Sequence, residues 1–147
     1  MSARHVVEVG IRWSDLDPYH HVNNAKILTL LEEARLTVLD EWFDRQGEGL
    51  LRGLMVAHQE IDYRAQMYYQ PTITVAMWCS EIGGSSFVIG YEVHDRDGRL
   101  VAVAETTMVC IVSETSSVRR LTDEERGVLR ARLDAPARLR RRRKEGS

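Results

Sequence analysis

Hydrophobic and polar residues follow two different periods along the chain, and each change of period marks a predicted element. Residues 5–13 have an apolar residue at every second position, which is typical of a half-buried strand. From Asn24 to about Arg45 the apolar residues recur at helical spacing, and two glycines follow soon after. After Gly53 the period returns to two through four further segments. The pattern therefore predicts one strand, one long helix and four more strands.

The apolar stripe of the predicted helix is wider than a surface helix needs. Its members are Ile27, Leu28, Leu30, Leu31, Ala34, Leu36, Val38, Leu39, Trp42 and Phe43. A stripe of this width is typical of a helix that is covered on several sides. We therefore expect an α+β fold in which a sheet of about five strands wraps around this helix.

The C-terminal part differs from the rest in both pattern and charge. Residues 122–133 predict a short surface helix that begins with a capping box of Thr122 and Glu125. Residues 1–118 hold 9 basic and 17 acidic residues, whereas residues 119–147 hold 11 and 5. Beyond Pro136 the sequence has no period, so we expect a domain over residues 1–134 and a basic, disordered tail over 135–147.

Composition excludes several classes of protein. Hydrophobic residues make up 44% of the 147 residues and charged residues 29%, which is ordinary for a soluble domain. No apolar run is long enough to span a membrane, and the basic run lacks the interleaved aromatic residues of sequence-specific nucleic-acid recognition. Cys79 and Cys110 lie in apolar segments without metal-ligand spacing. We expect free buried thiols in a cytoplasmic protein, with no membrane and no specific nucleic acid as partner.

The richest chemistry precedes the long helix, in the stretch WSDLDPYHHVNNAKILTLLEEAR over residues 13–35. Asp15 and Asp17 lie a few residues before the helix start, where unpaired N–H groups and the helix dipole favour negative charge. A carboxylate beside such an anion site suits the hydrolysis of an acyl group. Three other interpretations are open: Asp17 as a turn cap, a metal site of both carboxylates and a histidine, and a Ser14 triad. The triad lacks the G-x-S-x-G elbow, and the spacing fits no strong metal motif.

Three pieces of this stretch resemble a known family. Asp15-Leu16-Asp17, His21-Val22-Asn23-Asn24 and Glu32-Glu33-Ala34-Arg35 are similar to the acyl-CoA thioesterases of the 4-hydroxybenzoyl-CoA thioesterase type. The resemblance is specific in the first thirty-five residues and extends weakly to about residue 133. It implies the hotdog fold, in which an antiparallel sheet wraps around one long central helix. It also implies hydrolysis of acyl-CoA without a cofactor, in a homodimer or homotetramer whose sites lie between subunits.

The resemblance assigns roles to individual residues. Asp17 matches the catalytic carboxylate, acting as a general base toward water or as a nucleophile, and the Asn24 N–H matches the donor that polarises the thioester carbonyl. Asp15 is expected to hold the loop. Further substrate contacts are expected from His21, Asn23, His58, Ser85 and Ser86. Equal alternatives are a solvated strand face for His58 and a plain hairpin turn for the two serines.

The chain departs from the family pattern at two places. Many relatives have Gly at the position of His20, and Tyr68-Tyr69-Gln70-Pro71 stands where the family has a Gly-Asp pair.

Alternatives within the same fold remain. A hotdog protein that binds acyl-CoA without turnover would keep the pocket and lose the carboxylate, so Asp17 argues against it. Dehydration of a hydroxyacyl-CoA uses an acid and a histidine in a motif that this chain lacks. Another hotdog subtype uses a helix glutamate as base, but Glu32 and Arg35 are also spaced for a surface ion pair. The basic tail either assists with the phosphates of coenzyme A or serves solubility.

Overall fold

The computed structural model describes residues 3–43 and 53–140 and has the predicted order of elements. They are β1 (His5–Gly10), α1 (Asn24–Phe43), β2 (Leu54–Tyr63), β3 (Thr72–Ile82), β4 (Ser86–His94), β5 (Leu100–Cys110) and α2 (Asp123–Arg130). Their ends lie within a few residues of the predicted ones. The predicted end of α1 near Arg45, with the two glycines after it, lies outside the described residues.

The five strands form one antiparallel sheet in the order β1-β3-β4-β5-β2. β1 and β2, which α1 separates along the chain, lie at opposite edges of the sheet. The loop end of the sheet carries the last residues of β1, β2 and β4 and the first residues of β3 and β5. The loop before α1 and the start of α1 lie at this end.

The main core lies between α1 and the inner face of the sheet. Leu30, Leu31 and Val38 of α1 are fully buried. The predicted stripe is wrong at one position, because Leu36 is 53% exposed. The predicted surface ion pair of Glu32 with Arg35 is also wrong. Arg35 points into the core, where its Nη1 donates to the Tyr91 hydroxyl at 3.0 Å.

The outer face of the sheet is covered by residues 134–140, which we call the C-terminal strap. Ala137 and Leu139 are each only 2% exposed, and they pack with Trp78 and Val103. Trp78 Nε1 donates to the carbonyl oxygen of residue 135 at 2.8 Å. The prediction of a disordered tail is therefore wrong for residues 135–140. The physical reason is that β5 is apolar on both faces, and the strap covers the face that α1 does not. Residues 141–147 lie outside the described residues.

Truncation separates the strap from the basic run beyond it. Removal of all residues after Leu133 exposes the outer-face cluster, and we expect the free energy of unfolding to fall by about 2–4 kcal/mol. Removal of residues after Arg140 should change it by less than about 0.5 kcal/mol, the usual surface value. Urea unfolding of both truncated proteins and the full chain measures the difference. Equal stability of the two truncated proteins would contradict the structural role of the strap.

Both cysteines are free and buried, as the sequence predicts. Burial raises the pKa of the Cys79 thiol to about 11. Burial also raises the pKa of Cys110. Both thiols therefore stay protonated near neutral pH and serve as small apolar core groups.

Candidate active site

The loop before α1 is closed by Asp15. This residue ends a short 3-10 turn, and its side chain is buried. Its Oδ2 accepts from the Arg12 N–H at 2.8 Å, and its carbonyl oxygen accepts from the Asn23 N–H at 2.8 Å. Asp15 therefore ties the beginning of the loop to its end, which is the positioning role that the sequence suggests.

Asp17 is held in the same loop through one carboxylate oxygen only. Its Oδ1 accepts from the N–H groups of Tyr19 at 2.8 Å and His21 at 3.1 Å. No donor among residues 3–43 and 53–140 bonds Oδ2. The side chain is half-buried. One oxygen thus fixes the orientation of the carboxylate, and the other is available to a ligand or water.

His20 takes the backbone conformation that its position requires. Its φ of 68° lies in the left-handed region, which glycine adopts freely and other residues rarely adopt. The His20 N–H donates to the Asp17 carbonyl oxygen at 3.0 Å and closes the turn. The loop therefore keeps a glycine-type shape with histidine in place of glycine.

The helix begins directly after this loop. Asn23 is its N-cap, since Asn23 Oδ1 accepts from the Ala25 N–H at 2.9 Å. Asn24 is the first helical residue, and its N–H has no partner in the described part of the chain. The Asn24 carbonyl oxygen accepts from the Tyr63 hydroxyl at 2.9 Å, which fastens the helix start to the end of β2. Burial raises the pKa of Tyr63, so its hydroxyl stays protonated as a donor.

A cleft of about 250 Å³ opens beside this helix N-terminus. It is lined by Asn24, Tyr63, Arg64, Ala65 and Gln66. The unpaired Asn24 N–H and the guanidinium of Arg64 make it suited to an anion or a polarised carbonyl oxygen. A carboxylate and an N–H group without a partner in the described ranges therefore lie at the two ends of one short loop, from Asp17 to Asn24.

The structure brings some of the predicted site residues together and separates others. Asp17, His21, Asn23 and Asn24 share the loop end of the sheet. His58 is exposed on β2, with its Nε2 2.9 Å from Glu60 Oε1.

The two predicted serines lie at the opposite end. Ser85 and Ser86 stand in the turn that opens β4, whereas His94 closes β4 at the loop end. At about 3.3 Å per residue the 9 residues of β4 put its two ends roughly 25 Å apart. A single chain therefore does not bring these serines to Asp17.

Sequence inspection missed an aromatic wall around the loop. The rings of Trp13 and Tyr69 stack at 4.5 Å between centroids, and His21 meets Tyr68 edge-on at 4.8 Å. Trp13 and Tyr68 are both more than half exposed. The sequence feature that could have indicated these ring contacts is the pair Tyr68-Tyr69, which stands where the family has Gly-Asp. Tyr63 and Arg64 gave no signal, because their role depends on where β2 ends relative to α1.

Neither a metal cluster nor a membrane helix occurs in the two described ranges. No three His, Cys, Asp or Glu side chains there are grouped to hold a metal ion. No helix there is long and apolar enough to cross a membrane. Asp15, one of the three groups in the metal interpretation with Asp17 and a histidine, has its carboxylate oxygen Oδ2 bonded to the loop backbone.

Comparison with known proteins places the chain in a family. A model of the thioesterase-like superfamily matches residues 11–141, from just after β1 to just after the strap. The chain belongs to this superfamily. Among curated relatives of this thioesterase, the long-chain acyl-CoA thioesterase FadM of Escherichia coli is 29% identical over 125 residues, covering 81% of this chain and 92% of FadM.

Solved structures agree with this assignment. A predicted thioesterase from Bacillus stearothermophilus superposes with a TM-score of 0.80 at 25% identity, covering 90% of this chain and 98% of that one. A thioesterase from Thermus thermophilus, complexed with coenzyme A and Zn, has a TM-score of 0.73 at 29% identity, with coverages of 86% and 92%. The predicted hotdog fold and the predicted enzyme class, a thioester hydrolase, are confirmed.

Proposed function

We propose that this thioesterase hydrolyses acyl-CoA thioesters to a free carboxylic acid and coenzyme A, with Asp17 as the acting carboxylate. The Asn24 N–H would receive the negative charge that develops on the thioester oxygen. The observation that carries this assignment is that one loop holds both an Asp17 oxygen and, at the start of a 20-residue helix, an Asn24 N–H that lack partners among the described residues. One such oxyanion donor typically contributes about 10²–10³ in rate.

Two routes lead from this arrangement to the products. As general base, Asp17 Oδ2 takes a proton from water, the water oxygen attacks the carbonyl carbon, and the carbon–sulfur bond breaks to release the thiolate. As nucleophile, Asp17 Oδ2 attacks the carbonyl carbon, expels the thiolate and forms an anhydride that water then hydrolyses. Single turnover in ¹⁸O-labelled water reveals the second route when water attacks the anhydride at the Asp17 carbon, because only that attack puts the label into Asp17.

Coenzyme A thioesters are the favoured substrate class for two reasons. FadM is named a long-chain acyl-CoA thioesterase, and the Thermus thermophilus thioesterase was solved with coenzyme A. The cleft at Asn24 also presents cationic and N–H groups, which suit a polyanionic substrate.

A screen of short, long and aromatic acyl-CoAs with a free-thiol readout tests the proposal. We expect at least one class to be hydrolysed at more than about 10² times the rate of the Asp17→Asn protein, since loss of an acid–base group costs at least that much. Tight binding of acyl-CoA without hydrolysis would replace this function with the alternative, a non-catalytic acyl-CoA-binding hotdog protein.

We propose further that a second copy of the chain completes the site along β2. This strand has 10 residues and lies at the sheet edge, paired with β5 on one side only. Met55 and Val56 on it are 49% and 39% exposed, although long apolar edges are usually covered. Antiparallel pairing of two β2 edges about a two-fold axis would carry the serine turn of one copy toward the loop end of the other.

Charged residues on this edge test the assembly. We expect the full chain to be a dimer or tetramer at micromolar concentration, and the Met55→Lys/Val56→Lys protein to become a monomer with little activity, because like charges would meet at the edge. Sedimentation velocity and thioester turnover measure both effects. Val6→Lys is the matched control, since Val6 is 62% exposed on β1, the opposite edge. A fully active monomeric parent would contradict the proposal.

A further inference from the structure

The end of the C-terminal strap lies beside the cleft at the helix N-terminus. The Arg140 N–H donates to Asp62 Oδ2, and the Arg138 carbonyl oxygen accepts from Arg64 Nη2. Asp62 and Arg64 flank Tyr63, the residue whose hydroxyl bonds the first residue of α1. The strap therefore crosses the whole outer face and delivers arginines to the end of β2.

Arg64 stands between two cavities. One is the cleft beside Asn24, and the other is a cavity of about 320 Å³ lined by Arg64, Glu92, Leu100, Val103 and Arg138. Arg64 Nε is buried and has no hydrogen-bond partner in the described part of the chain. A buried N–H without an acceptor destabilises a protein, so a bound acceptor at this place would remove a cost.

The nearby carboxylates already accept hydrogen bonds, whereas the guanidinium groups of the strap have no acid partner among the described residues. Asp62 accepts from the Arg140 N–H and lies 3.7 Å from Arg64 Nη2, and Glu92 accepts from Arg4 at 2.6 Å. Within residues 3–43 and 53–140 no carboxylate lies in ion-pair distance of the guanidinium of Arg138 or Arg140. The surface beside the cleft is therefore cationic, and the sequence continues from Arg140 with three more arginines and a lysine.

We propose that Arg64, Arg138 and Arg140 form the site that receives the phosphate groups of coenzyme A. Guanidinium groups bind phosphate through paired, charge-assisted hydrogen bonds, and an unbonded Arg64 Nε supplies a further donor. The strap then holds the nucleotide end of the substrate, and the loop from Asp17 to Asn24 acts on the thioester. This inference rests on the proposed function for the identity of its ligand.

Equilibrium binding of coenzyme A and of 3′-dephospho-coenzyme A, measured by calorimetry, tests the site without turnover. The variants are Arg138→Gln, Arg140→Gln and the two combined. The strap is anchored by main-chain groups and by buried Ala137 and Leu139, so these changes leave it in place. Arg130→Gln is the control, because Arg130 lies on α2, which packs near β3 and α1 away from the β2 edge. Arg138→Lys keeps the charge at the site.

We expect each glutamine variant to weaken coenzyme A binding about tenfold and the double variant by more, because a hydrogen bond to a charged group is lost. Arg138→Lys should stay within about threefold, and Arg130→Gln within about twofold, as is usual for a surface site. The double variant should also lose part of the salt dependence. Equal losses in the Arg130→Gln control, or unchanged affinity in the double variant, would overturn the proposal.

Steady-state kinetics of the same variants test this inference separately from the proposed function. With matched acyl-CoA and acyl-pantetheine substrates, the double variant should raise KM for acyl-CoA and leave kcat and the kcat/KM of acyl-pantetheine unchanged. Hydrolysis of acyl-CoA with no effect of the arginine variants would overturn the phosphate site alone. Arginine-dependent coenzyme A binding without any hydrolysis would overturn the proposed function alone.

Discussion

Asp17→Asn is expected to lower kcat for thioester hydrolysis by about 10²–10⁴, the usual loss when a general base is removed. The asparagine oxygen can still accept from the N–H groups of Tyr19 and His21, so the loop and the fold should survive. The amide that replaces Oδ2 can neither take a proton from water near neutral pH nor act as a comparable nucleophile. Steady-state kinetics with the best substrate of the screen, together with melting temperatures, measure the effect.

Asp15→Asn is the matched control two residues away. Asp15 is buried and bonds only loop groups, so its loss should lower the melting temperature and reduce kcat less than Asp17→Asn does. Near parental kcat in Asp17→Asn, with activity abolished in Asp15→Asn or in a Glu32 or Glu33 variant, would show that the acting acid is misassigned.

Leu31→Ala is expected to lower the free energy of unfolding by about 2–5 kcal/mol, as large-to-small changes in a core usually do. Leu31 has no exposed surface, and it belongs to the core between α1 and the inner face of the sheet. Leu36→Ala changes the same residue type in the same helix, but Leu36 is 53% exposed, so its cost should stay below about 0.5 kcal/mol. Denaturant unfolding compares the two. Similar costs would mean that the buried face of α1 is placed wrongly.

The periodic pattern predicts the helix and its buried stripe well, yet it fails at two adjacent positions. Arg35 is buried and Leu36 exposed, the reverse of their polarity. Arg35 is held by the Tyr91 hydroxyl, which in turn donates to Thr106 Oγ1 at 2.9 Å. A spacing rule shows which residues share a helix face. It cannot show that a strand far away in the sequence supplies a hydrogen-bond partner for a buried polar residue.

The polar contacts that shape the loop before α1 are predictable because they are local, unlike the ring contact of His21 with Tyr68. The bonds of Asp15, Asp17 and Asn23 all join residues no more than eight positions apart. Ser85 and the β2 edge are different, because in the proposed dimer their place relative to Asp17 depends on a second chain. Local sequence carries no information about that geometry.

The sequence of the strap has no periodic pattern, so the only indication of it in the sequence comes from the strand residues that it covers. The strand residues Trp78 and Val103 are apolar and face away from α1. Apolar residues on both faces of a strand require two covers, and in an α+β sheet with one central helix the second cover must come from elsewhere. That requirement could have predicted an outer layer, although not which segment supplies it.

The covered outer face also limits how larger assemblies can be built. Two sheets that stack back to back pack about 10 Å apart, through side chains that interdigitate directly. Here Ala137 and Leu139 already occupy that space on Trp78. Before two sheets could stack, the strap would have to leave the outer face, and its arginines would then leave the end of β2. A tetramer built from two of the proposed dimers would therefore have to join them through the helix side or the loops, where Leu36 and Trp13 are exposed.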